Sequence, residues 1–218
     1  MSETLPSPIV EALNVGRAQP FRGSEMSAFV KTPVDGPVAI TRLGLAGDEQ
    51  VENAHGGPDM AVHIYPQDHG PFWRERIGHH PYLDLPGAFG TNLTLDGLDE
   101  TRLRIGDRFT LGTAQLEISQ PRKPCWKIEH RFGQKGMVAA ILQTGRCGWY
   151  CRVVEEGSAQ AGDPLIPIER GMARFTVARI FATLWGTEGG EVLDLAELAE
   201  LPSLSEELRD TARKRLDR

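Results

Sequence analysis

The sequence predicts a mainly β protein with helices (α+β), a sheet-rich body followed by a small helical tail. Up to about residue 170, short apolar segments such as "VAITRLGLAGD", "NLTLDGL", "RFTLGTAQLEISQ" and "DPLIPIE" are bounded by Gly, Pro, Asn or Asp. That punctuation marks short strands joined by turns. After about residue 171 the texture becomes helical, with Val177, Ile180, Phe181 and Leu184 on one face. The expected division is a β domain over 1–170 and a three-helix domain over 171–218.

Individual elements follow from local pattern. In "RFTLGTAQLEIS", Phe109, Leu111, Leu116 and Ile118 alternate with polar residues around Gly112-Thr113, which predicts a hairpin. "PQDHGPFWRERIG" spaces Phe72, Trp73 and Ile77 for a short amphipathic helix. "KGMVAAIL" predicts a second helix stopped near Gly145, with "GWYCRVVEEG" a strand after it. The Gly-Asp pairs at 47–48, 106–107 and 162–163 read as turns, with Gly in unusual dihedrals and Asp bonding nearby amides. In the tail, Gly186 stops the first helix. Leu193, Leu195 and Leu198 mark a second, closed by Pro202, and Ser203 or Ser205 caps the third.

Composition narrows the class. The 218 residues are 40% hydrophobic and 25% charged, ordinary for a soluble fold. A net charge of -6 argues against a duplex nucleic-acid binder but leaves room for a local basic pocket. No run of 18 apolar residues exists, so no transmembrane helix is expected. The N-terminal stretch is acidic and broken by proline, unlike a signal peptide, and the cytoplasm is the expected location. Cys125, Cys147 and Cys151 are too few for a disulfide scaffold or for a four-cysteine iron–sulfur cluster.

The chemistry-bearing stretch is "SQPRKPCWKIEH". Arg122 and Lys123 precede Cys125 and Lys127 follows it, and nearby cations favour a thiolate; the other reading is an ordinary surface loop after a strand with Cys125 half-buried. Pro121 and Pro124 stiffen the loop. Cys151 sits inside an expected strand and reads as core. In "NAHGGPDMAVHIYPQDHG", Gly56 and Gly57 after His55 form a turn whose amides can approach an anion, and Asp59 can orient His55 or cap the segment after it. His63 and His69 read as ordinary, partly exposed histidines, because the spacing of 55, 63 and 69 matches no zinc pattern. Asn92 can face a polar ligand or close a turn, and Arg146, near Gly145 and Gly148, can contact an oxyanion or face solvent. Walker and G-x-G-x-x-G patterns are absent, so no nucleotide cofactor is expected.

Taken together, "GLAGDEQVENAHGGPDMAVHIYP", "GAFGTNLTLDGLDETRLRIGDRFTLGTAQLEISQPRKPCWKI" and "GRCGWYCRVVEEGSAQAGD" resemble, in order and spacing, the MOSC-domain family and more narrowly its YiiM-type branch. The resemblance covers roughly residues 10–215, including the tail. It implies a MOSC-type β-barrel, a small three-helix C-terminal domain, and binding of the molybdenum cofactor (molybdopterin) with Cys125 as the metal ligand. Arg122 and Lys123 would meet the pterin phosphate or oxo groups; Asn92, Gly56, Gly57 and Arg146 would complete the cofactor contacts, and His55 would deliver a proton. The activity implied is reduction of N-hydroxylated compounds, hydroxylaminopurine-like base analogues among them, to amines. With no flavin, NAD or iron–sulfur motif, electrons would come from a separate reductase; pyridoxal phosphate is not expected. A non-catalytic carrier of the cofactor or of sulfur, and a cysteine-nucleophile enzyme with His55 as base, stand as alternatives. A homodimer is left open. One position departs from the family pattern: Thr91 stands where an acidic residue is frequent, and a hydroxyl cannot pair with a cation.

Overall fold

The computed structural model describes residues 4–52, 56–186 and 193–217. His55 therefore lies outside the described residues. An eight-stranded sheet forms the body, built from β1 (Ala12–Gly16), β4 (Lys31–Pro33), β7 (Val62–Ile64), β8 (Leu93–Thr94), β9 (Arg108–Leu111), β10 (Ala114–Pro121), β11 (Trp149–Glu155) and β13 (Leu165–Glu169). Its spatial order is β13-β9-β10-β11-β7-β8-β1-β4. Pairing is antiparallel throughout except between β7 and β8. β5 (Val38–Thr41), β6 (Gly44–Leu45) and β12 (Gly157–Ala159) form a smaller sheet, and β2 (Gln19–Arg22) pairs with β3 (Glu25–Ser27) as a hairpin.

The sheet is barrel-like without a continuous closing ladder. β13 and β4 are its edges, and the curl is joined by residues leading into β1 and β13, where Ile9 bridges Pro164. Leu165 N–H donates to Pro8 C=O at 2.8 Å and Val10 N–H to Asp163 C=O at 3.0 Å across that seam. Strand alternation sends Leu13, Val62, Ile64, Leu93, Phe109, Leu111, Leu116 and Ile118 into one core. The β9–β10 hairpin turns at Gly112, which has a left-handed φ of 58° and lies against the backbone of Ser158.

The helices are α1 (Gly70–Ile77), α2 (Trp126–Phe132), α3 (Met137–Thr144), α4 (Val177–Trp185), α5 (Leu195–Ala199) and α6 (Glu206–Leu216). No described helix is long and apolar enough to cross a membrane. α1 and α3 lie where the periodicity puts them, and Gly145 ends α3 in the left-handed conformation. In the tail, Val177, Ile180, Phe181 and Leu184 are all buried, Thr176 caps α4, and Ser205 rather than Ser203 caps α6.

These three helices are tied to the body through its backbone. Ile105 N–H donates to Phe175 C=O and Val177 N–H to Leu103 C=O, both at 2.9 Å, while Ser205 N–H reaches Ser119 C=O at 3.0 Å. Removing the aromatic anchor of α4 tests this packing. Phe181→Ala is expected to cost about 3–5 kcal/mol, read as a lowered midpoint in chemical denaturation with no change in the slope of the transition.

Candidate functional site

β10 is paired on both edges, and its ladder continues one step past its end, where Arg122 N–H donates to Gly148 C=O at 3.1 Å. At this point Arg122 is buried, whereas Lys123 is exposed with its ammonium over the Trp185 ring. The chain then turns at Pro124, and Cys125 stands half-buried as the residue that opens α2. Lys127, in the first turn of α2, is buried and pairs with Glu52 at 2.9 Å.

Arg122, Cys125 and Lys127 open on one cleft with about 110 Å³ of enclosed space. Its walls also include Lys31, Asp48, Gly56, His63, Asn92 and Tyr150, with Phe29, Leu43, Val51, Met60 and Phe89 as apolar surface. Two buried polar atoms in this wall have no partner among the described residues: Nη1 of Arg122 and Nε2 of His63. Buried polar groups are rarely left so.

The polar wall is one connected network. Lys31 Nζ donates to both carboxylate oxygens of Asp48. Asp48 also accepts from Gly16 N–H at 2.7 Å and from the Asn92 side-chain amide at 2.8 Å. Asn92 is itself fixed, accepting from His63 N–H at 2.9 Å and donating to Asn14 C=O at 3.1 Å. The Arg122 guanidinium donates to the Tyr150 hydroxyl.

Burial sets the charge states. It pushes the Lys31 ammonium below its ordinary range, with the Asp48 charge opposing. It pushes the Tyr150 phenol up against the opposing charge of Arg122. Burial, reinforced by the Arg122 and Lys31 charges, holds His63 well below its ordinary value. Because His63 is then neutral and its Nδ1 donates to Gly90 C=O at 3.0 Å, Nε2 presents a lone pair.

The residues singled out by sequence do not all converge. Arg122, Cys125, Asn92 and Gly56 meet at the cleft, although both ends of the Asn92 amide are used within the protein. Gly57 is not among the lining residues; it takes a φ of 97° to start a short 3-10 turn over Pro58–Met60. Arg146 lies elsewhere, its guanidinium over the Phe72 ring in a separate depression with His69 and Glu100. Asp59 neither caps that turn nor faces the cleft: it accepts from Arg152 Nε at 2.8 Å and from Glu206 N–H at 3.2 Å. Thr91 faces away too, accepting from Tyr65 N–H and donating to Leu93 C=O, so its hydroxyl serves the backbone and does not line the cleft.

The expectation for His63 and His69 needs correcting. Both are buried, His63 in the cleft wall and His69 against both oxygens of Glu100 at 3.0 Å. Lys31, Asp48 and Tyr150 join the site without having been expected there. The Gly-Asp context of Asp48 points to turn chemistry, which Asp107 and Asp163 do perform, each accepting a backbone amide three residues before it.

A sheet curled around a core, a thiol beside a buried guanidinium, and three appended helices define a particular class of protein. Residues 51–166 match the MOSC domain, and the chain belongs to the MOSC-domain family. Residues 175–218 match the YiiM-like, 3-alpha helix domain. Protein YiiM of Escherichia coli (strain K12) is 37% identical over 78% of this chain and 76% of its own length. The crystal structure of YiiM from Geobacillus stearothermophilus superposes with a TM-score of 0.80 at 34% identity, covering 96% of this chain and 99% of that one. A protein named Reductase from Gibberella moniliformis is 34% identical over 98% of this chain, which spans only 39% of that longer protein.

The His63 environment gives a pH dependence. Its folded-state pKa lies below the unfolded value of about 6.5, so the unfolded chain takes up the proton first and stability falls as pH drops below that value. Denaturation between pH 7 and 5 is expected to show this loss, approaching about 1.4 kcal/mol per pH unit from this residue. His63→Gln is expected to flatten that portion of the curve.

Proposed function

We propose that this chain is an oxidoreductase of the cytoplasm that holds the molybdenum cofactor and reduces N-hydroxylated compounds, hydroxylaminopurine-like base analogues among them, to amines. The observation that carries the reading is Cys125 and Arg122 lining one cleft, with Arg122 Nη1 buried and without a partner among the described residues. A buried cationic donor left open suits an anionic group of a ligand, and a thiol suits a soft or high-valent metal. Membership of the MOSC-domain family and the fungal relative named Reductase support the same direction.

The residues present fit the cofactor. Cys125 would ligate the metal, and Arg122 and Lys127 would meet phosphate or oxo oxygens. Lys123 and Arg146 face other surfaces, so the reading does not lean on them. When bound, the cofactor supplies the two-electron redox chemistry, with electrons from a separate reductase. The chain's part is to bind, orient and protonate. The guanidinium is held by its strand and by Tyr150, so it needs no reorganisation to meet a negative group. Phe29, Met60 and Phe89 supply apolar surface for the body of an organic substrate.

The test compares protein made in cells able and unable to assemble molybdopterin. Molybdenum content and hydroxylaminopurine reduction are measured with a reduced viologen dye as donor. Both are expected only in the first preparation, and Cys125→Ser is expected to lose more than nine-tenths of the metal. Turnover in the molybdopterin-free preparation sinks the reading, and metal without turnover favours a carrier instead.

A further inference from the structure

We propose that Lys31 is the proton donor of this cleft and that Asp48, held by Asn92, is the residue that positions it. This rests on the reductase reading above. Reduction of a hydroxylamine breaks the N–O bond: R–NH–OH, two electrons and two protons give R–NH2 and water. The electrons come from the external reductant, a reduced viologen in the assay, and the oxygen leaves as water. Protons must enter through groups that line the cleft.

The other candidates in the described wall are poorly suited, each for a different reason. Cys125 is assigned to the metal. Arg122 is a guanidinium, which does not give up its proton in proteins. His63 is neutral and turns its lone pair, not an N–H, away from Gly90. The Tyr150 hydroxyl is engaged by Arg122 and burial makes it a weaker acid. Lys127 is placed with Arg122 on the oxygens of the bound group, and Glu49 accepts from Ala18 N–H and Arg17.

Lys31 is the other ammonium of the wall, with no role yet given to it. An ammonium carries three N–H donors, and two of them go to the oxygens of Asp48. The third is left for a substrate in the cleft that Lys31 lines. Its position is fixed from two sides, because Asp48 is anchored by Gly16 N–H and by Asn92, and Asn92 by the backbones of His63 and Asn14. Burial, only partly offset by Asp48, makes Lys31 a stronger acid than an exposed lysine.

The experiment uses the cofactor-loaded protein and the variants Lys31→Arg, Lys31→Met and Asp48→Asn. Lys31→Arg keeps a cation opposite Asp48, so its melting temperature and molybdenum content are expected to match the parent. Its kcat is expected to fall about 100-fold or more, as is that of Lys31→Met, and the alkaline fall in kcat seen in the parent should disappear. A merely structural ion pair would instead be rescued by arginine.

Asp48→Asn removes the charge that holds the proton on Lys31, so the alkaline fall is expected at lower pH. A readout independent of turnover is acylation of Lys31 in the cofactor-free protein across pH, followed by peptide mass spectrometry. Its midpoint should move down in Asp48→Asn. Lys31→Arg with parental kcat and an intact alkaline fall overturns the inference. So does a rate loss in His55→Gln that Lys31→Arg does not share. If the loaded parent itself fails to reduce the substrate, the reductase reading falls first; if the parent works and Lys31→Arg works equally, only the donor assignment falls.

Discussion

The site depends on the pairing of β10 with its neighbours. From Gln115 to Glu117 it is bonded along both edges, and a strand so held resists slipping by one residue. Pairing with β11 alone then carries it to Pro121. Arg122 N–H still bonds Gly148 C=O, and there Arg122 is buried while Lys123 is exposed. Two adjacent cations of similar appearance in the sequence thus acquire opposite surroundings, and Cys125 reaches the cleft from the turn beyond them.

Around this fixed arm the cleft is built from groups that restrain one another. Asn92 spends its amide on Asp48, on the His63 backbone and on Asn14, and Asp48 spends its carboxylate on Lys31, Gly16 and Asn92. Such a network is stable only when nearly complete, since each unpaired buried group costs about 1–3 kcal/mol. Against this network, Nη1 of Arg122 and Nε2 of His63 stand out as buried atoms of the cleft lining without a partner among the described residues.

Much of the fold was legible because its signals are local. The hairpin around Gly112, α3 with its Gly145 stop, and the buried stripe of α4 follow from periodicity and turn residues within a dozen positions. The candidate site was legible around Cys125, where charge and proline cluster in sequence. Lys31, Asp48 and Tyr150 were not, because each is ordinary among its neighbours and gains its setting only from strands distant in the chain. Asp48 shows the difficulty: Gly47-Asp48 does form a turn, with Gly47 at φ 89° and Asp48 N–H on Leu45 C=O, yet its carboxylate reaches past that turn to Gly16 and Lys31. His63 and His69 were misjudged for the same reason, since burial is a tertiary property.

The seam at Ile9 and Pro164 has a consequence in time as well as in space. The two segments it joins lie at opposite ends of the β body, so their contact carries one of the longest loop closures in the molecule. During synthesis, residues 8–10 must wait without their partner until residues 162–165 have emerged. The seam of the β body thus forms only after nearly all of that body has been made.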